Sequence, residues 1–489
     1  MTVSKARTFR NVMYAAFSKG ITFLCAALTT MVVARNLTAS DYGVVGFATI
    51  IIGFLLQFAD LGLLRAAIRR PNLDIASLQT VFTLKAILSL VAFLAALALA
   101  PFSRHLLDHS ATGGVISILA LDFLVSTIGF GSRVELTREM SYRALTIPAA
   151  AGAVVQCVAA IVLVLLGWSY WAVVIAEVLG NLASGLALQF TRPFPIRFHI
   201  DWPDAQKYLR FGIPLFGSGF VIFILTNLDN FLVSTSMGSV QLGYYALAFT
   251  WATFICMLLN ATVNDVLLPT LATIQDDPVA LRRWYLKTID LTGFVGVAAN
   301  TALLANAHWF LVTFLGKGTE KWLPAETALQ VLCIYGILRT ITEPISPCLM
   351  ARGDTRTLWN TNLMIGAVEV VLLLLALRTR RIEMVGAAML AAYSCAALGL
   401  LPFLRRELSI TLGDIAAQVW PIVPALVVGY TATSVLPVSF GNSMLTLAAR
   451  GLFTASVAAV THGLCTHFRC FQETGGMISH NLARIRARA

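Results

Sequence analysis

The sequence predicts an all-α, polytopic membrane protein, and its composition and its hydropathy pattern both support that fold class. The chain has 489 residues, of which 58% are apolar and 12% charged, a balance outside that of soluble globular domains. Its mean hydropathy is +0.80. A membrane-spanning helix needs about 20 mostly apolar residues. Fourteen such stretches lie between charged or Pro/Gly-rich breaks, so we expect about 14 transmembrane helices.

These predicted spans follow one another along the chain with short connections. The first follows Lys5, Arg7 and Arg10 and has no small-residue cleavage site, so we expect an uncleaved helix. No outer connection exceeds about a dozen residues, so no extramembrane catalytic domain is expected. The spans are Val12 to Ala34, Gly43 to Leu64, Val81 to Ala100, Val115 to Ser132, Ile147 to Leu166, Tyr170 to Phe190, Phe211 to Ser234, Gly243 to Leu268, Ile289 to Leu315, Thr327 to Met350, Leu358 to Leu377, Val385 to Leu404, Val419 to Leu436 and Leu445 to Phe468.

The distribution of Lys and Arg predicts the orientation of these spans. With the N-terminus inside, the cytoplasmic segments hold 24 of these residues and the outer segments hold eight. Cytoplasmic loops of membrane proteins carry such an excess, so both termini are predicted to be cytoplasmic. The cluster from Arg378 to Arg381 lies on the outer side and runs against the rule. Basic residues are scattered between the spans rather than gathered in one patch, which argues against a nucleic-acid partner.

An internal repeat divides the chain. The stretch from Ala34 to Gly43 (ARNLTASDYG) is echoed from Ser234 to Gly243 (STSMGSVQLG), and the basic loop from Arg138 to Arg143 is echoed from Ala351 to Arg356. Six spans separate the equivalents, so the repeats keep one orientation and are related by an axis along the membrane normal. The predicted organisation is an N-terminal six-helix lobe (1–200), a C-terminal six-helix lobe (201–410), two additional helices (411–468) and a basic cytoplasmic tail (469–489).

Four stretches of the chain form a recognisable pattern: Ala34 to Gly43, Phe58 to Leu63 (FADLGL), the basic loop from Arg138 to Arg143, and Gly167 to Ala172 (GWSYWA). This pattern resembles the polysaccharide flippases of the multidrug/oligosaccharidyl-lipid/polysaccharide exporter superfamily. These are similar to the R-x-L-x-P-x-D-Y/F-G, F-A-D-x-G-L and G-x-G-x-W-A-L elements of the subgroup that exports succinoglycan-like and colanic-acid-like repeat units. The resemblance covers most of the first two hundred residues.

The chain departs from the family pattern at two positions. Ala39 stands where the family usually has Pro, and Ser169 stands where Gly is common. The resemblance implies two six-helix lobes around a central cavity in a bacterial inner membrane. It also implies an undecaprenyl-pyrophosphate-linked oligosaccharide as cargo, no enzymatic activity, and polymerase and chain-length or export proteins as partners in exopolysaccharide or lipopolysaccharide biosynthesis.

Two basic residues inside spans are candidate ligands of the pyrophosphate. Ionisable groups within a membrane are costly, so they usually face a cavity or a partner. Lys19 lies about two turns inside the first span, and Arg339 lies near the middle of the tenth. Charge-assisted bonds to phosphate are strong. Alternatively, Arg339 pairs with Glu343 one turn later and Lys19 extends to the interface. Trp251 is a candidate for stacking on sugar rings, or else marks the interface.

Carboxylates within the spans are candidates for ion coupling, since a buried carboxylate can bind and release a cation. Asp229 has Asn230 beside it and Asn227 and Ser234 nearby, a set of oxygen-bearing groups that suits H⁺ or Na⁺. Interhelical hydrogen bonding is the alternative. No other cofactor and no bound metal are expected. The coupling candidates are Asp229, Asn230, Asp265, Glu343 and Asp122, and Glu177 and Glu369 are further in-span carboxylates.

Two further features are predicted to be structural. Asp60 and Lys85 lie at similar depth on neighbouring spans, which predicts an ion pair. Pro214, Pro344 and Pro347 can interrupt their helices, either as hinges or as simple kinks.

The leading function is a flippase that works by alternating access. A cation-coupled multidrug or small-molecule exporter is the alternative within the same architecture, and its cavity would be more acidic. A membrane polysaccharide polymerase or ligase is disfavoured by the short outer loops.

Overall fold

The computed structural model describes residues 5–70, 74–107, 109–139, 141–272, 274, 277–351, 355–408, 410–435 and 443–466. Every regular element within these ranges is helical. Among the described residues, twelve helices are long and apolar enough to cross a membrane, from Ala39–Arg69 to Met444–Cys465. A thirteenth candidate is the pair Thr112–Ile128 and Phe130–Arg138, bent by 47°. The all-α, multi-pass membrane fold is confirmed.

The predicted spans coincide with these helices. Twelve of them fall on the twelve long apolar helices, and the fourth, Val115 to Ser132, falls on the bent pair. The first, Val12 to Ala34, lies inside the helix Lys5–Asn36. The fourth span is therefore broken rather than straight, since its chain bends at Gly129. The total of fourteen stays a prediction.

The chain divides into two compact units, Met1–Ala246 and Leu247–Ala489. The boundary lies within the helix Ser239–Ala272, whereas the sequence placed it near residue 200; the predicted lobe limits stay a prediction. The helices of the first unit are α1 (Lys5–Asn36), α2 (Ala39–Asp60), α3 (Leu63–Arg69), α4 (Ile75–Leu107), α5 (Thr112–Leu119), α6 (Leu121–Ile128), α7 (Phe130–Arg138), α8 (Tyr142–Leu165), α9 (Tyr170–Thr191), α10 (Trp202–Met237) and the start of α11 (Ser239–Ala272).

In the described part of the second unit, the rest of α11 is followed by ten more α-helices. A π-helical turn, Phe310–Leu315, and a 3₁₀ segment, Glu320–Ala325, connect two of them. The α-helices are α12 (Pro278–Ala305), α13 (Ala307–Trp309), α14 (Glu326–Thr342), α15 (Ile345–Ala351), α16 (Thr355–Leu377), α17 (Ile382–Gly399), α18 (Leu401–Leu408), α19 (Leu412–Val419), α20 (Ile422–Val435) and α21 (Ser443–Cys465).

Capping boxes fix the start of two of the described helices. Thr38 and Asp41 form a capping box at the start of α2, in which the Thr38 hydroxyl accepts from the Asp41 amide at 3.2 Å. Thr411 and Asp414 form the same arrangement before α19. Such a box satisfies two otherwise unpaired amides at a helix N-terminus. The ARNLTASDYG stretch therefore contains the start signal of its own helix.

The FADLGL stretch ends α2 and begins α3. Leu61 has φ 39° and Gly62 has φ 67°, so two successive residues lie in the left-handed region that glycine adopts most easily. Gly62 also lies close to α10, because a Cβ at this position would be 3.3 Å from the carbonyl oxygen of Gly212. The motif glycine is explained by this turn.

The prolines behave in two different ways. Helix α14 ends at Thr342 and α15 begins at Ile345, so the tenth span is interrupted beside Pro344. Pro347 lies inside α15. Pro214 lies inside the continuous helix α10. Helix α10 therefore has no break at Pro214, because a proline removes only one backbone hydrogen bond and its neighbours continue the helix. The role of these prolines as hinges or kinks stays a prediction.

Candidate functional site

The beginnings of α2 and α11 cross in direct backbone contact. A Cβ placed on Gly43 would overlap the carbonyl oxygen of Ser239, and one placed on Gly243 would overlap the carbonyl oxygen of Ala39. Neither position leaves room for a side chain. The hydroxyls of Ser40 and Ser239 are hydrogen-bonded at 3.0 Å across the crossing. Small residues allow such close approach between helices in a membrane.

This crossing is reciprocal. Ala39 and Ser239, and likewise Gly43 and Gly243, stand 200 residues apart in the chain. Gly43 touches Ser239 and Gly243 touches Ala39, which is the pattern of an isologous interface. Further along, Gly46 approaches Ala246 at 4.0 Å, again a pair separated by 200. A Cβ on Gly43 would also lie 3.0 Å from the amide nitrogen of Gly243. The pairs 43/243 and 46/246 advance in the same direction, so the two helices run parallel here.

Sequence reasoning used these glycines only as evidence for the repeat. The available signal was a glycine at the same position in both copies, directly after the ARNLTASDY stretch and its echo. A glycine inside an apolar span lowers helix propensity, so its presence at both equivalent positions pointed to a close contact. That the two copies contact each other is a finding of the structure.

Asp229 is fully buried on α10. The Tyr245 hydroxyl donates to its carboxylate at 2.7 Å, and the Asn230 amide donates to the other oxygen at 3.2 Å. Asn227 and Ser234 instead donate to carbonyls of their own helix. Asp229 and Asn230 are thus brought together as predicted. Tyr245, on α11, was not predicted, since aromatic residues in spans are too common to single it out.

Two other coupling candidates have different outcomes. Asp122 is buried on α6, and its Oδ1 has no hydrogen-bond partner among the described residues. A buried polar atom without a partner is costly, which marks Asp122 as the carboxylate with spare bonding capacity. The predicted role of Asp265 concerns a side chain that lies outside the described residues.

Arg339 forms an ion pair within its own span. Its Nε lies 2.8 Å from Oε1 of Glu343, and its guanidinium lies 5.9 Å from the centre of the Tyr393 ring. The side chain of Arg339 is 15% exposed and that of Glu343 26%. The two residues predicted for separate roles, pyrophosphate binding and ion coupling, are therefore partners. Glu343 stands directly before the helix interruption at Pro344.

The other two substrate candidates lie in different surroundings. Trp251 packs edge to face against Phe310 and Phe314, with ring centres 5.0 and 5.7 Å apart. Its Nε1 has no hydrogen-bond partner in the described part of the chain. Trp251 therefore belongs to an aromatic cluster of the second unit. Lys19 lies on α1 with a partly buried side chain.

Asp60 and Lys85 are brought together. The Lys85 Nζ lies 3.7 Å from the Asp60 carboxylate and donates to the Ala59 carbonyl at 3.2 Å. Lys85 is 3% exposed, whereas the Asp60 side chain is 53% exposed. The ammonium is the buried partner, so its loss of hydration is compensated by Asp60 and by a backbone carbonyl.

A polar network at the end of α3 was not predicted. Arg70 donates to both oxygens of Asp204, at 2.6 and 2.9 Å, and to the Tyr208 hydroxyl at 3.1 Å. These bonds to Asp204 raise the pKa of the Arg70 guanidinium above its usual range. Arg138, from the basic loop that resembles the family pattern, donates to the carbonyl of Arg70 at 2.7 Å. The network ties together α3, α7 and α10.

No group of three or more His, Cys, Asp or Glu side chains in the described residues is arranged to hold a metal ion.

Comparison with known proteins gives the decisive match. A model of the family described as polysaccharide biosynthesis protein matches residues 32–326. The chain belongs to this family.

Relatives of this polysaccharide biosynthesis protein have similar lengths. It is 24% identical to the lipopolysaccharide biosynthesis protein WzxC of Escherichia coli, over 71% of each chain. It is 23% identical to the succinoglycan biosynthesis transport protein ExoT of Rhizobium meliloti, over 73% of this chain and 72% of that protein. It is 24% identical to the teichuronic acid biosynthesis protein TuaB of Bacillus subtilis, over 63% of this chain and 64% of that protein.

Solved structures share the fold. The lipid II flippase MurJ in an inward closed conformation superimposes with a TM-score of 0.74, covering 93% of this chain and 98% of that one at 13% identity. An inward-facing multidrug resistance transporter of the MATE family superimposes with a TM-score of 0.63. The match covers 81% of this chain and 98% of that one at 14% identity. At such identities the likeness shows the fold alone.

Proposed function

We propose that this protein translocates a lipid-linked oligosaccharide repeat unit across the membrane during the biosynthesis of a surface polysaccharide. The match of residues 32–326 to the polysaccharide biosynthesis family carries the proposal. The names of the relatives, which include a succinoglycan transport protein, supply the cargo class. A helical fold of the kind found in a lipid flippase gives that cargo a route. The activity is transport, and no covalent bond is made or broken.

The cargo is an oligosaccharide on undecaprenyl pyrophosphate, and the membrane is the bacterial inner membrane, with both termini of the chain cytoplasmic. The excess of Lys and Arg on one side of the spans supports this orientation. Glycosyltransferases supply the repeat unit, and a polymerase with chain-length and export proteins consumes it. These partners follow from the chemistry of the product, which is an unpolymerised unit.

The crossing of α2 and α11 is the contact that must separate when the cargo leaves on the outer side. It joins equivalent ends of the two repeats through Gly43, Gly243 and the serine pair. The one hydrogen bond between its serine hydroxyls contributes only about 1 kcal/mol. A contact of this kind can close tightly and still open at low cost.

Arg339 is the residue we assign to the pyrophosphate. In the described structure its charge is balanced by Glu343 through one hydrogen bond from Nε, and a pyrophosphate can replace that carboxylate because it accepts charge-assisted hydrogen bonds from the same guanidinium. Asp229 and Asp122 are the carboxylates we assign to coupling with H⁺ or Na⁺. Asp229 already has polar partners in Tyr245 and Asn230, and Asp122 has an oxygen with unused bonding capacity.

A deletion strain tests the function. We expect loss of the gene to stop polymer export and to leave the lipid-linked repeat unit on the inner leaflet, and the intact gene to restore both. Unchanged polymer in the deletion strain would refute the flippase function. Greater sensitivity to cationic drugs with normal polymer would instead support the small-molecule exporter, the function of the MATE structure that shares the fold.

An Arg339→Ala variant tests the site. We expect it to reach normal abundance in the membrane and to export at most a tenth of the polymer, since a charge-assisted bidentate contact is worth about 1.5–3 kcal/mol. A Glu343→Gln variant is the matched control, because it removes the other half of the pair and keeps the guanidinium. Full export by Arg339→Ala would remove Arg339 from the site.

A further inference from the structure

A basic pocket opens between α3 and α10 in the first unit. Its volume is about 220 Å³, and it is lined by Ala66, Arg69, Arg70, Lys207, Tyr208 and Phe211. Three of the six side chains are cationic and two are aromatic. The ends of α3 and α10 at this pocket flank predicted cytoplasmic connections, so the pocket lies at the predicted inner surface of the membrane.

The charges of the pocket are not balanced. Asp204 accepts hydrogen bonds from Arg70 and from Lys207, the latter at 3.1 Å, so one carboxylate serves two cations. The guanidinium of Arg69 lies over the Phe211 ring, 4.6 Å from its centre. Arg69 forms no hydrogen bond or ion pair with any described residue. Three cations and one bonded carboxylate leave a net positive charge of two.

The floor of the pocket is rigid. Arg70 is fixed by both oxygens of Asp204 and by the Tyr208 hydroxyl. Tyr208 is 2% exposed, and its hydroxyl is also hydrogen-bonded to Ser77 at 2.6 Å. An anion therefore meets donors that are already oriented, which lowers the entropy lost on binding.

A row of exposed apolar side chains lies directly before and at the start of α10. Ile196, Phe198, Ile200 and Trp202 are 51%, 73%, 42% and 60% exposed, and they alternate along an extended segment. The amides of the intervening residues His199 and Asp201 donate to hydroxyls of α4, at 3.0 and 3.1 Å. The segment is thereby attached to α4, and it ends at the N-terminus of α10, which supplies Lys207 and Tyr208.

We propose that this pocket binds the phosphate of an anionic phospholipid of the inner leaflet. Arg69 and Lys207 are the charged contacts, Arg70 and Tyr208 form the floor, and the apolar row lies among the acyl chains. Basic residues beside aromatic and aliphatic anchors at a membrane surface favour anionic lipids. The complementarity is between a pocket with a net positive charge and a phosphodiester that carries its own apolar tails.

Native mass spectrometry of the purified full-length protein tests this site. The probes are phosphatidylglycerol, phosphatidylcholine and undecaprenyl phosphate, each added to protein in a non-ionic detergent, with inorganic phosphate as competitor. The pocket variant is R69Q/K207Q, which leaves the Arg70–Asp204 pair intact. The control is R65Q/R210Q, since both of these arginines are exposed on the same two helices and neither lines the pocket.

We expect phosphatidylglycerol to be retained by the wild-type protein and by R65Q/R210Q, and to bind R69Q/K207Q about tenfold more weakly, because two interfacial cations are lost. Phosphatidylcholine should be retained weakly by all three proteins, and inorganic phosphate should not displace the lipid. Equal retention by the two double variants would overturn the site. Retention of undecaprenyl phosphate in place of phosphatidylglycerol would overturn the choice of lipid. Neither result bears on transport, so the proposed function is tested separately.

Discussion

At Gly43 and Gly243, the crossing of α2 and α11 leaves no room for even one added methyl group. Each faces a backbone carbonyl oxygen at a distance that no side chain tolerates. A backbone cannot move aside as a flexible side chain can, so the helices would have to separate. The two positions stand 200 residues apart and are equivalent in the predicted repeat.

Replacing Gly243 by alanine is predicted to disrupt the crossing. We expect G243A to lower the free energy of unfolding by about 1–3 kcal/mol, as overpacking does, and to reduce polymer export. The thermal midpoint of the purified protein measures the first effect. The control is G217A on α10, where nothing lies within 4 Å of the added Cβ. A G243A protein as stable as G217A would contradict the contact.

Ser169 stores backbone strain at the start of α9. Its φ is 46° and its ψ −135°, a region that glycine enters readily and other residues rarely. We expect S169G to raise the free energy of unfolding by about 1 kcal/mol, since it removes that strain. A higher thermal midpoint would show it. S169A keeps a Cβ in the same conformation and should give no increase; equal gains from both substitutions would exclude strain as the cause.

At the scale of elements, the ion pair between Asp60 and Lys85 links the end of α2 to α4. Its buried member is the ammonium, so removing Asp60 leaves a charge without its main partner. We expect D60N to lower the free energy of unfolding by about 1–2 kcal/mol and the double variant D60N/K85M to recover most of that loss. Thermal unfolding of the two proteins provides the comparison.

The surface pair Arg192–Glu139 is the matched control for this experiment, because both side chains are about half exposed. An exposed ion pair is worth about 0–1 kcal/mol, so E139Q should be nearly neutral. If the double variant D60N/K85M is less stable than D60N alone, the pair is not what stabilises the junction of α2 and α4.

Helix interruptions were the least predictable elements. The interruption beside Pro344 follows from the sequence, whereas the continuity of α10 through Pro214 does not. The bend of the fourth span at Gly129 could not be predicted from a proline either, because none lies in that span. Gly129 lies close to α9, with Gly185 only about 3 Å from where its Cβ would be. Packing against a neighbouring helix decides such bends.

At the scale of the whole molecule, the orientation in the membrane rests on charge alone and is open to a direct test. In a cysteine-free background, a cysteine at Lys317 should react with a membrane-impermeant maleimide in intact cells, and a cysteine at Arg192 should react only after lysis. Positive residues accumulate on the cytoplasmic side, and these positions lie on opposite predicted sides. The reverse labelling pattern would invert the topology.

The same labelling test is most informative at the cluster from Arg378 to Arg381, because its charge opposes the predicted topology. It carries three arginines on the predicted outer side, and Arg381 is paired with Glu383 at 2.6 Å. A cysteine at Thr379 that reacts in intact cells would keep the predicted topology despite the local charge. Labelling only after lysis would move this loop to the cytoplasmic side.

The sequence by itself determined the fold class and the positions of the apolar helices, because the bilayer imposes length and hydropathy on each span separately. The parallel repeat stays a prediction. It also predicted partners close in the chain or at equal depth, such as Arg339 with Glu343 and Asp60 with Lys85.

Only the tertiary structure decided which distant residues meet. It brought Gly43 to Ser239, Tyr245 to Asp229 and Arg70 to Asp204. In a lipid environment, apolar burial does not select one helix partner over another, so small-residue contacts and polar pairs do so. Those contacts depend on the rotation and crossing of each helix, which hydropathy leaves undetermined.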